Sequence, residues 1–337
     1  MTLPTAPRTF GIRLSGTGMA VPANVVTNND LAKTVDTNDE WIAQRTGIRQ
    51  RHVCLPGDNV LSLSRDAMKQ ALANAGLEAK QLDMLIVATL TPEMVTPSSA
   101  ARVVAEIGAS PAGAVDISAA CSGFVYGANM AASLIQTGFY KNIAVVGCET
   151  LSKITNWADR ATCVLFGDGA GAAIFSATDD TTRGCLYQNM GSDGGRWHEL
   201  YCPRTDIDLP PNGHGAPFNG QFNTLQMNGR EIYKFAVSTL QKSIDAALAH
   251  CNLKPSDLAM IIPHQSNARI IESAREKLGV GEDRMYVNID RYGNTSAASV
   301  PICLHELVTA GRVKAGDHVL FVALGGGLTW ATSLWRV

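Results

Sequence analysis

A long internal repeat most restricts how this chain can fold. Residues 64–89 read as a helix, a turn and a strand: S-R-D-A-M-K-Q-A-L-A-N-A-G-L, then E-A-K-Q-L-D, then M-L-I-V-A-T. Residues 240–265 follow the same plan, with Ala71, Leu72, Leu77, Leu82, Met84 and Ile86 answered by Ala247, Leu248, Leu253, Leu258, Met260 and Ile262 at one constant offset. The echo continues with a small drift in offset. Val115 and Ile117 correspond to Val287 and Ile289, L-I-Q-T-G ending at Gly138 to L-V-T-A-G ending at Gly311, and A-V-V-G at 144–147 to L-F-V-A at 320–323. A repeat of this length is a whole α/β unit duplicated, not a solenoid module of about 20 to 50 residues. Its strands are short continuous apolar runs, as expected of sheets covered on both faces by helices, so a layered α/β architecture follows. The 337 residues are too many for one ordinary core, which agrees with two similar halves.

The segment 190–220 breaks the pattern. It is rich in Gly, Pro, Asn and Asp and reads as a long surface loop or cap between the halves. Between Asp116 and Lys141 no residue is charged, but Ser118, Ser122, Asn129, Ser133 and Gln136 make the stretch polar, so it predicts a buried central helix and no membrane span. The N-terminus M-T-L-P-T-A-P-R-T-F lacks the apolar run of a secretory signal. A net charge of -2 without a long basic run argues against a nucleic-acid protein. The densest positive cluster, Arg45, Arg49, Arg51 and His52, suits a small phosphorylated ligand better than a duplex. Eight scattered cysteines never form C-x-x-C, so no metal site or dithiol redox motif is signalled; free thiols of a reducing cytosol are the plain reading.

One of those cysteines has a special setting. In V-D-I-S-A-A-C-S-G-F-V-Y-G-A-N-M, residues 115–130, an alternating strand runs into a small-residue turn carrying Cys121. Phe124, Ala128, Ala132 and Ile135 then recur at helical spacing, which puts Cys121 at a helix entrance. Unpaired N–H groups there favour a thiolate over a thiol. Taken alone, such a cysteine is more often an inert buried side chain. Partners change the balance. His264 follows the strand M-I-I-P, at the C-terminal strand end where ligand chemistry gathers in open α/β sheets. Asn294, in D-R-Y-G-N-T-S, occupies the place in the second half that matches the Cys121 turn. The triple glycine 325–327 lets a backbone N–H approach a substrate oxygen, whereas G-D-G-A-G-A at 167–172 fits no phosphate-binding pattern and reads as close backbone packing. An asparagine cannot act as a base. With a neutral histidine N–H it can stabilise an enolate oxygen, which favours a carbon nucleophile made by decarboxylation.

Taken together, D-T-N-D-E-W-I-A-Q-R-T-G-I-R-Q-R-H (36–52), A-A-C-S-G-F, F-G-D-G-A-G-A-A, H-Q-S-N-A-R-I, G-N-T-S-A-A-S-V-P and G-G-G-L-T-W closely resemble the 3-oxoacyl-(acyl-carrier-protein) synthase III family of thiolase-fold condensing enzymes. The resemblance runs in order over nearly the whole chain. It implies a thiolase-like fold of two pseudo-symmetric βαβαβαββ halves, 1–178 with the cysteine and 179–337 with the histidine and asparagine, in a five-layered αβαβα core. It also implies a cytoplasmic homodimeric acyltransferase that starts type II fatty acid synthesis. Acyl-CoA and malonyl-carrier protein are then substrates, and no metal or cofactor is involved.

Residue by residue, the resemblance implies Cys121 as nucleophile, His264 and Asn294 as the decarboxylation pair, and the backbone N–H groups of Cys121 and Gly326 as an oxyanion hole. It implies Trp41, Arg45 and Arg160 for CoA, and Lys234, Arg269 and Lys277 as a face for the acidic carrier protein, interrupted by Glu276. Thr96 stands for a bulky aromatic at the floor of the acyl pocket and Leu324 for a phenylalanine, so an enlarged pocket and starters longer than acetyl are expected. The rival readings are a related condensing enzyme of secondary metabolism with an unusual starter, a cysteine hydrolase using Cys, His and Asn, and a degenerate binding module of the same fold.

Overall fold

The computed structural model of the chain describes residues 10–205 and 221–337. The N-terminal M-T-L-P-T-A-P-R-T and residues 206–220, the latter half of the 190–220 segment, lie outside the described residues. The repeated unit folds as its pattern predicts. Helix α1 (Asp39–Thr46) precedes it; helix α2 (Val60–Ala75) starts on a capping box between Asn59 and Ser62 and ends at Gly76, whose φ of 63° closes it in the left-handed region. Val60, Leu63, Ala67, Met68, Ala71 and Leu72 form its buried stripe. A 3-10 turn then leads to a buried strand, Met84–Ala88. In the second half, helix Gly229–Cys251 buries Ala236, Leu240, Ile244, Ala247 and Leu248, closes at left-handed Asn252, and leads through a 3-10 turn to strand Met260–Pro263.

Two sheets result. The first contains β1 (Gly11–Ala20), β2 (Met84–Ala88), β3 (Gly113–Ile117), β4 (Asn142–Thr150) and β5 (Asp168–Thr178) in the order β1-β5-β4-β2-β3. The second contains β6 (Gly184–Ser192), β7 (Met260–Pro263), β8 (His318–Gly325) and β9 (Thr329–Arg336) in the order β7-β8-β9-β6. In both, the two neighbours nearest the middle of each half pair in parallel (β2 with β4, β7 with β8) and the last strands return antiparallel. Where β3 flanks β2, the second half keeps only a single parallel bridge, Ile261 to Met285.

Helices α3 (Ser99–Glu106), α4 (Gly123–Gln136), α5 (Gly229–Cys251), α6 (Ala268–Leu278) and α7 (Ser299–Thr309) complete the layers. Helices α2 and α3 cover one outer face, α5 and α6 the other, and α4 and α7 lie between the sheets and touch both. The central layer holds a continuous core that includes Ile86, Phe124, Val300, Leu304, Phe321 and Trp335. This is a five-layered arrangement of two related halves, βαβαβαββ in the first and the same plan with its third strand reduced to a bridge in the second. The G-D-G-A-G-A stretch is indeed close packing: a Cβ on Gly171 would lie 2.6 Å from Ile302 N, and one on Gly167 would lie 2.3 Å from Tyr292 O. Segment 190–220 begins differently from a plain loop, because Met190 is still inside β6 and Leu200–Tyr201 pair with Gln226–Met227.

Candidate active site

The two halves meet at their strand ends, where the same constant offset that relates Ala71 to Ala247 recurs. The 3-10 turn Ala120–Ser122 leading into α4 has its counterpart in the turn Ser296–Ala298 leading into α7. The position equivalent to Cys121 is therefore Ala297; Asn294, expected at that place, lies three residues earlier. Each turn carries a non-glycine residue in the left-handed region, Ala120 at φ 46° and Ser296 at φ 50°. Such a conformation costs on the order of 1 kcal/mol and persists where surrounding structure dictates it, as at sites of chemistry.

Cys121, His264 and Asn294 come together on the wall of one cavity of ≈ 260 Å³, and each keeps a small exposed fraction (8%, 6% and 7%). His264 directly follows β7. Its Nδ1 lies 2.7 Å from Ser299 Oγ, which also accepts a 3.3 Å hydrogen bond from the Gln265 N–H. We assign the Ser299 proton to that contact, which leaves His264 Nε2 carrying the N–H that faces the cavity. Burial pushes the imidazole down to about 3, so it is neutral at any ordinary pH. Asn294 is held by the first half: its N–H donates to Leu165 O and its carbonyl accepts from Gly167 N–H. This needs Gly293, at φ 66°, because a Cβ there would lie 3.0 Å from Leu165 O. Asn294 Oδ1 accepts from the Ser296 N–H at 2.9 Å, and its Nδ2 has no hydrogen-bond partner among the described residues. Two N–H donors, one from a ring and one from an amide, thus face the space in front of Cys121.

A second cavity, ≈ 660 Å³, reaches Cys121 from the other side and is lined on its apolar wall by Leu90, Leu151, Ile154, Phe166 and Leu225. Gly326 lies on it as well. The glycine loop is fastened to the cysteine turn by Thr329, whose hydroxyl sits 3.0 Å from Ala119 O and 3.1 Å from Gly326 O. Gly325 has no room for a side chain, since a Cβ would lie 2.7 Å from Cys121 N.

At the mouth of the first cavity, Asn38 caps α1 and accepts from the Trp41 N–H. Trp41 and Arg45 are one turn apart, and the Arg45 guanidinium lies 4.4 Å from the Trp41 ring centroid with Arg160 at 5.0 Å. The remainder of the positive cluster has other work. Arg51 is fully buried, donating to Val26 O and Val164 O; Arg49 pairs with Asp39; His52 Nδ1 contacts Pro22 O. Only Arg45 of that cluster serves the mouth. Arg269 and Lys234 are exposed, Lys234 paired with Glu231 at 2.6 Å, and Lys277 sits eight residues, about 12 Å, along α6 from Arg269.

Three expectations meet a different arrangement within the single chain. Thr96 is exposed on the loop after β2, beside Val95 (82% exposed), and lines neither of the two cavities that reach Cys121. Leu324 lines the first cavity with His264 and Asn294, not the second. The third concerns ionisation. Cys121 does sit at a helix entrance, yet burial pushes its thiol up to about 12; contact with Ser296 lowers it and the nearby Glu149 carboxylate raises it. Desolvation outweighs the helix end, and the resting sulfur keeps its proton.

Sequence reading missed Glu149. It closes β4, is 0% exposed, and accepts from Thr91 Oγ1 (2.8 Å), Leu90 N–H (3.1 Å) and Ser296 Oγ (3.1 Å). The available signal was its place at a strand's C-terminal end. Burial raises its carboxyl to about 7 against those hydrogen bonds. A carboxyl raised on folding supports the fold fully below its unfolded value of about 4.5, and that support is lost as pH rises through 7. Glu149→Gln is therefore expected to be more stable than the native chain at pH 8, by on the order of 1–3 kcal/mol, with the gain vanishing near pH 4.5. Urea unfolding at both pH values measures it; a variant equally destabilised at both would show that the carboxylate is not under strain.

Relatives share this plan. The sequence matches the family described as 3-oxoacyl-[acyl-carrier-protein (ACP)] synthase III over residues 115–194 and its C-terminal counterpart over 248–337. It is 48% identical to beta-ketoacyl-[acyl-carrier-protein] synthase III of Caldanaerobacter subterraneus subsp. tengcongensis, over 95% of this chain and 96% of that protein. Its fold is similar to the crystal structure of 3-oxoacyl-[acyl-carrier-protein] synthase III from Aquifex aeolicus VF5, with TM-score 0.89 and 42% identity over 97% of this chain and 100% of that one. The priming beta-ketosynthase of the R1128 polyketide biosynthetic pathway is also similar, with TM-score 0.90 and 31% identity over 99% of this chain and 98% of that one. With two thiolase-type halves and relatives matched end to end, the chain belongs to the beta-ketoacyl-[acyl-carrier-protein] synthase III family of condensing acyltransferases.

Proposed function

We propose that the protein condenses an acyl-CoA starter with malonyl-acyl carrier protein, giving 3-oxoacyl-carrier protein, CoA and carbon dioxide, the first step of type II fatty acid synthesis. The observation that carries this reading is one sulfur at the junction of two cavities, facing a neutral imidazole and a carboxamide. Cys121 Sγ attacks the acyl-CoA carbonyl and keeps the acyl group as a thioester, its tail in the second cavity. The backbone N–H groups of Cys121 and Gly326 hold the developing oxyanion. The CoA enters past Trp41, Arg45 and Arg160, where an aromatic face and guanidinium groups suit a base and phosphates; a base stacked on Trp41 requires the Arg160 guanidinium to move aside. After CoA departs, His264 Nε2–H and Asn294 Nδ2–H donate to the malonyl thioester oxygen while carbon dioxide leaves. The carbanion then attacks the acyl carbon, and Cys121 is released. This chemistry calls for no metal or cofactor.

Lys234, Arg269 and Lys277 form the face offered to the acidic carrier protein, with Arg269 and Lys234 nearest the mouth. The exposed apolar Met94 and Val95 beside Thr96 suit burial against a second copy, consistent with a homodimer. Among the described residues no helix is long and apolar enough to cross a membrane, which agrees with a cytoplasmic enzyme. A hydrolase would use the asparagine to orient the histidine; Ser299, not Asn294, holds His264 Nδ1. The likeness to a polyketide priming synthase favours, as a second reading, a starter unit other than acetyl for a specialised pathway. Product analysis with malonyl-carrier protein and acyl-CoAs of increasing length tests both. The ≈ 660 Å³ cavity predicts turnover with starters longer than acetyl; activity confined to acetyl-CoA defeats that expectation, and no condensation with any starter defeats the proposal itself.

A further inference from the structure

A buried protonated thiol is a poor nucleophile, so acylation needs a group to take its proton. His264 is not placed for this: Nδ1 is engaged by Ser299, and Nε2 carries the proton that later serves the malonyl oxygen. On the opposite side of the sulfur the geometry is different. Ser296, 1% exposed and held in the left-handed region, contacts the Cys121 thiol and donates its own hydroxyl to Glu149 Oε1 at 3.1 Å. The other carboxylate oxygen is fixed by Thr91 Oγ1, which in turn accepts from the Thr150 N–H, and by the Leu90 N–H. The titratable groups facing Glu149 are the thiols of Cys121 and Cys148; among the described residues no lysine, arginine or histidine is a hydrogen-bond partner of it. A carboxylate 0% exposed without a cation is costly to keep for packing alone.

We propose that Glu149 is the proton acceptor for Cys121, acting through the Ser296 hydroxyl. This rests on the reading of Cys121 as the acyl carrier. In the first half-reaction the Sγ–C bond forms and the C–S bond to CoA breaks. The Sγ proton passes to Ser296 Oγ as the Ser296 proton passes to Glu149 Oε1, and the CoA thiolate takes a proton from solvent. In the second half-reaction the carbon–carbon bond forms, the C–Sγ bond breaks, and the proton held on Glu149 returns through Ser296 to the departing Cys121 sulfur. The carboxyl, raised to about 7, can hold a proton near neutral pH; the negative charge of the resting site leaves with the CoA thiolate and is restored when the proton returns to the sulfur.

The test is single-turnover acylation of the full-length protein by acetyl-CoA and a longer acyl-CoA, followed by quenched intact mass from pH 6 to 9. The native rate is expected to rise with a midpoint near 7 and then level off. Glu149→Gln is expected to acylate about 100-fold more slowly at pH 7, to keep climbing with pH without a plateau, and still to reach one acyl group per chain. Ser296→Ala, which leaves the carboxylate and Thr91 in place, is expected to behave likewise. Rates within about threefold of native with the native profile, or a slower Glu149→Gln that retains the native midpoint, would overturn the relay. Should Glu149→Gln not fold, the Ser296→Ala profile decides in the same way. If the native chain takes no acyl group, or Cys121→Ala still takes one, it is the condensing reading that fails.

Discussion

Replacing Cys121 with alanine is expected to leave a folded protein that takes no acyl group and condenses at least about 10⁴-fold more slowly. The fold should tolerate the change, because Ala297 already occupies the equivalent position of the second half in the same kind of turn. The strained neighbour Ala120 and the hydroxyl bridge from Thr329 do not involve the sulfur. On the proposed mechanism malonyl decarboxylation relies on other groups, so carbon dioxide release should continue without product. Two readouts check this: intact mass after incubation with acyl-CoA, and labelled carbon dioxide from malonyl-carrier protein. An adduct that persists in Cys121→Ala would move the nucleophile elsewhere; both signals lost with a native-like unfolding curve would mean that the sulfur also organises the malonyl site.

The second large effect belongs to His264. On the proposed mechanism its alanine variant removes one of two donors aimed at the developing enolate, and a single donor of this kind is worth about 10²–10³ in rate. Decarboxylation should fall by that factor while Cys121 still reaches full acylation, because loading is not routed through the imidazole. The native decarboxylation rate should also show no inflection around pH 6.5, since burial holds the ring neutral far below that value. A step near pH 6.5 would mean that the ring titrates in the working enzyme and acts as an acid or base instead of a neutral donor.

How far the sequence carries can be judged from particular residues. The repeat located both helix-turn-strand units, because their apolar spacing and left-handed closing residues act locally. Cys121 and His264 were singled out by their positions at strand ends, and Asn294 by its match to the Cys121 turn, a register that the structure shifts by three residues. What depends on contacts across the two halves was not legible. The sequence around Glu149, V-V-G-C-E-T, looks like an apolar strand ending in a solvated charge, yet the residue is fully buried beneath Thr91 and Ser296. Arg51 reads as part of a basic cluster and is instead locked to two backbone carbonyls. The ionisation of Cys121 failed for the same reason: a helix entrance is visible in sequence, whereas the depth at which it is sunk is not.

The placement of α4 and α7 between the sheets has a consequence for how the molecule is maintained. Phe124 and Val300 belong to one hydrophobic layer together with Phe175 and Trp335, so neither half owns a complete interior. Each would present a wide bare apolar surface to water if separated from its twin. Duplication therefore did not yield two autonomous modules joined by a tether. It yielded a single body in which Cys121 from one half and His264 and Asn294 from the other are kept in register by the same interior that neither copy can assemble unaided.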